Sequence, residues 1–302
     1  MEISDNLELK NYTTFKIGGK CRKVAFPETE AELISLLNEY PDAIVLGSCS
    51  DVLISSLGVI EPIIITSNMK NFEFDGRKLR VDCGAKGPYL SKECQAKGLS
   101  GFEFMIGFPG SFGGMLHMNA SAHNQAVSDY FTKGKVFDRK TKKVLEVNKS
   151  DMSFEYRCSA LTKSGNILID AEFELPDKDK NEIQDLMDRN IEFRHLRQPS
   201  LATPNAGSVF KNPENDSAGR LLDKAGVKDL CSDKVKVWEK HANFVVNTGK
   251  ATSEDILELM YKMYQSVKDT YTIELEPEIR YIGKMNKREE EICKQLYKRT
   301  QK

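Results

Sequence analysis

A glycine-rich stretch between residues 107 and 122 has the sequence GFPGSFGGMLHMNASA. Glycine permits positive φ angles and lets the backbone approach a ligand closely, and consecutive amides in such a loop can form a concave site for an anion or a carbonyl group. A mobile surface turn is the alternative, but the apolar run FEFMIG before the stretch indicates a buried approach. We therefore predict a ligand-binding loop. It is not the G-x-G-x-x-G fingerprint that opens a helix, so no Rossmann unit is predicted.

Length and charge narrow the class of protein. The 302 residues can bury a sizeable core and leave room for two or three small domains. Lysine and arginine number 44 against 45 acidic residues, a net charge of −1, so no basic excess suggests nucleic acid. No apolar run approaches the length of a membrane span, and the N-terminus has no signal pattern. We expect a cytoplasmic protein that binds neither nucleic acid nor a membrane.

Cysteine and histidine usage argues against disulfides and metals. The seven cysteines are scattered, without a C-x-x-C pair, and the four histidines are dispersed. Neither a disulfide framework nor a structural zinc site is indicated, and we expect no metal.

Residues 1–69 have the pattern of a small α/β unit. Thr29 and Glu32 have the spacing of a capping box before an apolar helical pattern, and two buried strands, AIVLG and PIIITS, follow. Residues 70–198 form a second predicted unit. It contains a helix from Tyr89 that stops at Gly98, and a hairpin that turns around Asp138.

Residues 199–302 form the third predicted unit. Thr252 or Ser253 is expected to cap a long amphipathic helix, and the segment TIELEPEIRYIG is expected to form the final strand. The tail from Asn286 to Lys302 is rich in lysine and glutamate and is predicted to be a surface helix without a chemical role.

Five segments together resemble the UDP-N-acetylenolpyruvoylglucosamine reductase family, a group of flavoenzymes of bacterial cell-wall precursor synthesis. They occur in the family's order and are GFPGSFGGMLHMNASA, FEYRCSAL, NAGSVFKNP, KHANFVVN and LEPEIR. The resemblance covers most of the chain. The lack of a long insertion between Asp170 and Gln198 is typical of the shorter branch of the family.

The resemblance implies an α+β fold. An FAD-binding region in two parts, of the vanillyl-alcohol-oxidase/PCMH type, would precede a smaller α+β substrate-binding domain. It implies non-covalent FAD, NADPH as hydride donor, and reduction of UDP-N-acetylglucosamine enolpyruvate to UDP-N-acetylmuramate. This is a step of peptidoglycan synthesis and cell-wall biogenesis, and so bears on cell shape and cell division. We expect a monomer.

Three catalytic residues follow from the matched motifs. Ser208 matches the proton donor, Arg157 the arginine that holds the substrate carboxylate and enolate oxygen, and Glu278 the glutamate that completes this polar group. Taken singly, Ser208 would be interpreted as a serine in a turn, and Arg157 and Glu278 as members of surface ion pairs. The complete motifs favour a catalytic role for all three residues. We expect the three groups to converge beside the flavin.

Further binding residues are also implied by the resemblance. Lys211 and Asn212 would contact the substrate, whereas His241 is left out of the catalytic group. Two segments would approach the flavin and its pyrophosphate. Their residues are Gly47, Ser48, Cys49, Ser50, Asp51, Gly110, Ser111, Gly113, Gly114 and Asn119.

The first of these segments departs from the family pattern of three glycines, a serine and an asparagine. Ser48 and Cys49 replace two glycines, which reduces backbone freedom. Asp51 places a carboxylate beside a predicted pyrophosphate, a like-charge contact that is expected to cost affinity.

Two alternatives stay open. A flavin oxidase or reductase of another substrate is disfavoured by NAGSVFKNP and LEPEIR. A divergent, non-catalytic UDP-sugar-binding homologue with weakened flavin binding is favoured by the replaced glycines. Because the three catalytic residues are all present, we predict an active enzyme.

Overall fold

The computed structural model describes residues 1–298. The strands are β1 Glu2–Glu8, β2 Lys20–Phe26, β3 Ile44–Leu46, β4 Val52–Ile54, β5 Ile63–Ile65, β6 Phe72–Asp75, β7 Lys78–Asp82, β8 Ser121–Ala122, β9 Gln125–Ala126, β10 Phe131–Asp138, β11 Lys143–Asn148, β12 Ile167–Glu174, β13 Val235–Val237, β14 Val245–Asn247 and β15 Arg280–Ile282. The helices are α1 Glu30–Glu39, α2 Gly87–Lys97, α3 Phe112–His117, α4 Ala160–Ser164, α5 Lys180–Arg197, α6 Ala218–Lys224, α7 Ser253–Tyr271 and α8 Lys287–Leu296.

The chain forms two compact units. Unit 1 consists of Met1–Ser4, Lys23–Ser48 and Pro62–Arg194, and unit 2 of Asp5–Arg22, Cys49–Glu61 and His195–Lys302. The division into three linear domains, with boundaries after residues 69 and 198, stays a prediction. Within the described part of the chain, no helix is long and apolar enough to cross a membrane.

A four-stranded sheet, which includes β3 and β5 of unit 1, contains parallel strand pairs. The strand order is β1-β2-β5-β3, with β5 parallel to both β2 and β3. Helix α1 begins as predicted, since the Thr29 hydroxyl accepts the Glu32 N–H at 3.2 Å. The Glu32 carboxylate, however, accepts the N–H of Glu28 at 2.8 Å instead of that of Thr29. The predicted capping box is therefore only half formed.

The second sheet of unit 1 has the order β11-β10-β12-β7-β6 and is antiparallel. The predicted hairpin is confirmed as β10 and β11, and the Asp138 carboxylate accepts the N–H groups of Lys140 and Thr141 in its turn. Edge-to-face contacts of Phe173 with Phe102 and Phe112 fill the core beside this sheet.

Helix α2 of unit 1 ends where the sequence predicts. Gly98 has a φ of +74° and its N–H donates to the carbonyl of Gln95 at 3.0 Å. A left-handed residue is the usual way to end a helix, and glycine adopts it without a Cβ penalty.

Helix α7 of unit 2 begins at the predicted cap. The Thr252 hydroxyl accepts the Asp255 N–H at 3.3 Å, and the Asp255 carboxylate accepts the Thr252 N–H at 2.8 Å. The helix buries one apolar face in the core of unit 2. The capping box satisfies two N–H groups that would otherwise lack partners.

The predicted final strand TIELEPEIRYIG is wrong in extent. Only Arg280–Ile282 forms a strand, and it pairs in parallel with β4. Thr272 instead ends α7 in the left-handed region, with a φ of +58°. Pro277 then contributes no N–H to a ladder, so the segment before Arg280 makes only isolated bridge contacts.

The predicted surface helix of the tail is α8, and it is more than a solvated appendage. Ile292, Cys293 and Leu296 are buried in the core of unit 2. Glu289 is 1% exposed, and its carboxylate accepts hydrogen bonds from the Ser253 and Tyr281 hydroxyls at 2.6 and 3.0 Å. Helix α8 is therefore part of the core of unit 2, while residues 299–302 of the predicted helix lie outside the described residues.

Candidate functional site

The glycine-rich segment in unit 1 is not one continuous loop. It bends after Gly110, whose carbonyl accepts the Gly87 N–H at 3.2 Å, and then forms helix α3 from Phe112 to His117. The prediction of a single short loop is wrong, because residues 112–117 are helical. Gly113 lies in the first turn, its N–H donates to the Cys83 carbonyl at 2.7 Å, and an added Cβ would lie 3.2 Å from Cys83. Since none of the glycines of this stretch has a positive φ, they serve close packing and not backbone freedom.

The chain passes from unit 1 to unit 2 within residues 47–51. Gly47 and Ser48 belong to unit 1, and Cys49 to Asp51 belong to unit 2. Within unit 1, Gly47 packs closely against the glycine-rich segment, because a Cβ at Gly47 would lie 1.9 Å from the Ser111 Oγ. No residue with a side chain can replace Gly47 without movement of Ser111.

Cys49 occupies a backbone conformation that favours glycine. Its φ is +49°, a left-handed value that non-glycine residues visit rarely. The Thr14 N–H donates to the Cys49 carbonyl at 3.3 Å, and the Thr14 hydroxyl donates to the Ser50 carbonyl at 3.4 Å. Burial raises the pKa of the Cys49 thiol to about 12. The hydrogen bonds of Thr14 thus stabilise the turn, although Cys49 stands where the family pattern has a glycine. The Cys49 thiol is not ionised at neutral pH.

Three buried polar atoms of unit 1 have no hydrogen-bond partner within residues 1–298. They are the Ser48 Oγ, the Ser111 Oγ and the Asn119 Oδ1. Asn119, in the left-handed region at φ +43°, uses its amide nitrogen to donate to the Glu155 carbonyl at 3.0 Å. Buried polar groups in native proteins almost always have partners. Two hydroxyls and one amide oxygen therefore present hydrogen-bonding capacity for a polar ligand.

These groups fit FAD. Phosphate and carbonyl oxygens of FAD can accept from the two hydroxyls, and its ribityl hydroxyls or ring N–H can donate to the Asn119 oxygen. The close contact between Gly47 and Ser111 brings the two predicted flavin segments together. Gly114, in the same helix turn as Gly113, would place a Cβ 3.8 Å from the Ser111 Oγ, so it too borders this surface.

Arg157 lies at the tip of a tight turn in unit 1. The backbones of Glu155 and Cys158 exchange hydrogen bonds of 3.0 and 3.3 Å, and Arg157 takes a φ of +54°. Its guanidinium donates to the Ser121 hydroxyl at 2.9 Å and lies 5.0 Å from the Tyr156 ring centre. Because Asn119 also bonds to Glu155, the turn of Arg157 adjoins the glycine-rich segment.

Ser208 and Glu278 lie on neighbouring segments of unit 2. The Glu278 N–H donates to the Val209 carbonyl at 2.8 Å, and Ser208 forms an antiparallel bridge with Phe244. Gly207 precedes Ser208 with a φ of +73°. The segment NAGSVFKNP therefore runs between two others, and its backbone pairs with that of the segment that carries Glu278.

Asn243, in the segment KHANFVVN, stabilises this arrangement through its side-chain amide. Its amide oxygen accepts the Phe210 N–H at 2.9 Å, and its amide nitrogen donates to the Phe210 carbonyl at 2.8 Å. No definite role for this residue is predicted from the sequence. The neighbouring His241 has a pKa lowered mainly by burial, and its Nδ1 accepts the Asn243 N–H at 3.3 Å. Both residues thus support the backbone of the Ser208 segment.

Lys211 and Asn212 both make internal contacts. The Lys211 ammonium lies 2.6 Å from the Glu276 carboxylate, and the Lys211 N–H donates to the Glu276 carbonyl at 2.9 Å. The Asn212 amide oxygen accepts the Ala218 N–H at 3.0 Å at the start of α6. Sequence reasoning missed Glu276. The expected substrate contacts of Lys211 and Asn212 stay predictions.

Asp51 directly precedes β4, which pairs with β15. Its carbonyl accepts the Arg280 N–H at 3.0 Å. Burial raises the pKa of the Asp51 carboxyl, and the charge of Arg280 opposes that rise. A carboxyl that takes up a proton more readily repels a nearby phosphate less, which counteracts the like-charge cost that the sequence suggests.

Comparison with protein families defines the class first. Residues 22–148 match the family described as an FAD binding domain, and residues 198–282 match the C-terminal domain of UDP-N-acetylenolpyruvoylglucosamine reductase. The chain is thus built as a flavoprotein with a reductase C-terminal domain. The predicted fold class, an α+β chain with an FAD-binding region before a smaller domain, is confirmed.

Individual relatives then identify the family. A UDP-N-acetylenolpyruvoylglucosamine reductase of Caldicellulosiruptor bescii is 40% identical over 94% of this chain and 91% of its own length. One of Enterococcus faecalis is 34% identical over 91% and 92%. The crystal structure of the reductase from Thermus caldophilus matches with a TM-score of 0.79 and 30% identity, over 93% of this chain and 98% of that one. The chain belongs to the UDP-N-acetylenolpyruvoylglucosamine reductase family, which confirms the resemblance.

Proposed function

We propose that this protein reduces UDP-N-acetylglucosamine enolpyruvate to UDP-N-acetylmuramate, with non-covalently bound FAD and with NADPH as the hydride donor. The product would enter peptidoglycan synthesis. Family membership over nearly the whole chain supports the reaction. The single structural observation that carries the flavin assignment is the group of buried, unpartnered atoms of Ser48, Ser111 and Asn119 in unit 1.

Bound FAD would supply the hydride that adds to the enolpyruvyl double bond. The chain must then stabilise the enolate and deliver a proton to its α-carbon. Arg157 is proposed to hold the carboxylate of the substrate and the enolate oxygen, because a guanidinium stays charged and offers two parallel donors. The left-handed backbone at φ +54° supports this role, since such conformations cluster at functional sites.

Ser208 is proposed as the proton donor and Glu278 as its neighbour that hydrogen-bonds to the forming enol. A serine hydroxyl is a weak acid, so it donates only to a strongly basic partner such as an enolate. The bond from the Glu278 N–H to the Val209 carbonyl, 2.8 Å, and the brace from Asn243 hold the two segments in register. Such preorganisation is what proton transfer requires.

Lys211 and Asn212 are proposed to bind the anionic part of the substrate. Lys211 can act as a point charge toward a phosphate or a carboxylate. The Glu276 carboxylate, 2.6 Å away, orders the Lys211 ammonium.

A spectrum and one variant test this proposal. The purified protein is expected to be yellow and to oxidise NADPH when the enolpyruvyl substrate is added. In Ser208→Ala, flavin reduction by NADPH should stay near wild type, whereas reoxidation by substrate should fall by about 100-fold or more. Ser266→Ala is a matched control, because that hydroxyl donates only to the Lys262 carbonyl on an exposed helix face. Equal loss of both half-reactions in Ser208→Ala would contradict the role of Ser208.

A second candidate function is a non-catalytic UDP-sugar-binding protein with weakened flavin affinity. Cys49 in the left-handed region favours it, because this replacement of a glycine lies in the turn predicted to hold phosphate. This candidate predicts UDP-sugar binding without flavin absorption. A colourless protein that binds the UDP-sugar and does not take up added FAD would select it over the reductase.

A further inference from the structure

Helix α8 ends beside the backbone of the segment that carries Glu278. The hydroxyl of Tyr297, the residue that follows the helix, donates to the Ile279 carbonyl at 2.7 Å. Ile279 directly follows Glu278 and is fully buried. Tyr297 and Ile279 both belong to unit 2 and pack in or against its hydrophobic core. A hydroxyl at the end of the C-terminal helix therefore contacts the backbone next to the proposed catalytic glutamate.

This contact fixes one peptide unit near Glu278. The peptide that follows Ile279 has its carbonyl bonded by Tyr297, and its N–H donates to the Asp51 carbonyl at 3.0 Å. Because a peptide unit is planar, hydrogen bonds at both of its polar groups fix its orientation. The N–H of Glu278 itself donates to the Val209 carbonyl at 2.8 Å. The backbone is therefore held both before and after the Glu278 side chain.

Tyr297 is a neutral donor on a firmly anchored helix. Burial is the main cause that raises the pKa of its hydroxyl, so the group stays protonated at neutral pH. Ile292 of α8 is buried in the core of unit 2. Near the start of the helix, the Glu289 carboxylate accepts from the Ser253 and Tyr281 hydroxyls at 2.6 and 3.0 Å. The helix is thus fixed along its length, and it holds the phenol in place.

We propose that Tyr297 is a positioning residue for Glu278, because its bond to the Ile279 carbonyl orients the backbone from which the Glu278 carboxyl reaches the forming enol. This inference rests on the proposed function, since it requires that Glu278 takes part in reduction of the substrate. It assigns a role to a helix that lies after residue 282, where the match to the reductase C-terminal domain ends. Catalytic groups must be held within about 0.5 Å of the productive geometry. A contact that only stabilises the fold is the competing explanation.

The first experiment removes the hydroxyl and keeps the ring. In Tyr297→Phe, flavin reduction by NADPH should stay at the wild-type rate. Reoxidation of the flavin by the enolpyruvyl substrate should slow by about tenfold, the worth of one hydrogen bond that acts on the transition state. Stopped-flow absorbance of the holoenzyme flavin, recorded well below the Tm, measures both rates.

Thr252→Ala is the matched control. It removes a hydroxyl of unit 2 that caps α7 and does not contact the Glu278 segment. Its Tm should fall, while both half-reactions keep their wild-type rates.

A double-mutant cycle with Glu278→Gln separates positioning from a general loosening of unit 2. If the Tyr297 hydroxyl acts through the Glu278 carboxyl, adding Tyr297→Phe to Glu278→Gln should slow reoxidation by less than about twofold, because the group that it positions is already absent. A purely structural effect would add in full in that background.

Four outcomes decide the matter. An unchanged reoxidation rate in Tyr297→Phe overturns the proposal. A tenfold loss that persists in the Glu278→Gln background also overturns it, because the hydroxyl then does not act through Glu278. Equal loss of both half-reactions in Tyr297→Phe, or the same loss in Thr252→Ala, does so as well. If the substrate does not reoxidise the flavin of the wild-type protein, the proposed function itself fails, and this result is distinct because it involves no variant.

Discussion

Arg157 shows that a sequence motif can identify a residue without predicting its backbone conformation. The segment FEYRCSAL identifies the residue through family resemblance, but nothing in those letters predicts a φ of +54° for an arginine. The conformation follows from the two backbone hydrogen bonds between Glu155 and Cys158, which close the turn around it. Strain of this kind depends on partners in three dimensions, so it is visible only in the structure.

Glu276 was not predictable as a site residue for a related reason. It lies 65 positions from Lys211 in sequence, and only the pairing of the two backbones brings their side chains within 2.6 Å. The motif LEPEIR draws attention to Glu278, and Glu276 within it has no distinguishing signal. Register between distant segments is information that a single sequence does not contain.

The ion pair of Lys211 and Glu276 leads to a prediction about substrate affinity. If Lys211 binds an anionic group of the substrate as proposed, the Glu276 carboxylate competes for the same ammonium. Glu276→Gln should then lower the KM for the enolpyruvyl substrate by about threefold, because a pair with side chains 23% and 31% exposed is worth only a fraction of a kcal/mol. Steady-state kinetics at fixed NADPH measures this change.

Lys211→Met provides the comparison for that prediction. It removes the ammonium and should raise the KM, opposite in sign to Glu276→Gln. A rise in KM in both variants would mean that Glu276 holds Lys211 in place, rather than competing with the substrate for it.

Helices with strong local sequence signals can be predicted, whereas helices that depend on tertiary contacts cannot. Helix α7 has a complete capping box and an amphipathic face, and both are present. Helix α3 was missed because two glycines are poor helix formers. Its glycines are tolerated because Gly113 packs against Cys83, a contact that local propensity cannot reveal.

The cap of α7 leads to a stability prediction. Thr252→Ala removes the acceptor of the Asp255 N–H and should lower the free energy of unfolding by about 1 kcal/mol, or about 2 °C in Tm. Thermal unfolding of the apoprotein measures it. Thr270→Ala is the control, since that hydroxyl donates to the Ser266 carbonyl on an exposed face of the same helix. A loss in Thr270→Ala equal to that in Thr252→Ala would argue against the capping role.

For the molecule as a whole, the two compact units do not follow the order of the chain. Residues 5–22 and 49–61 belong with the C-terminal part, although composition gives no sign of it. From the sequence alone, the chain can only be divided into consecutive segments. A compact unit is instead defined by contacts between segments that are distant in the sequence. The five family motifs, by contrast, indicate the family from the sequence alone, because the order of motifs can be compared without knowing which residues are in contact.

The buried, unpartnered atoms of unit 1 connect cofactor binding to the stability of the whole protein. Ser48, Ser111 and Asn119 have buried polar atoms without a partner in the described chain, so FAD that completes their hydrogen bonds should bind the folded state and stabilise it by mass action. At a free FAD concentration of about 100 times Kd, the free energy of unfolding should rise by about 2.7 kcal/mol.

Thermal unfolding at increasing FAD concentration tests this linkage. The Tm is expected to rise steadily with the logarithm of FAD concentration above Kd, because FAD binds the folded state and not the unfolded one. In hydrogen exchange, added FAD should protect residues 47–51 and 107–119 first, since these segments carry the unpartnered atoms. Riboflavin lacks the phosphates, and at equal concentration it should raise the Tm less. A Tm that does not respond to FAD would contradict the assignment of these atoms to the cofactor.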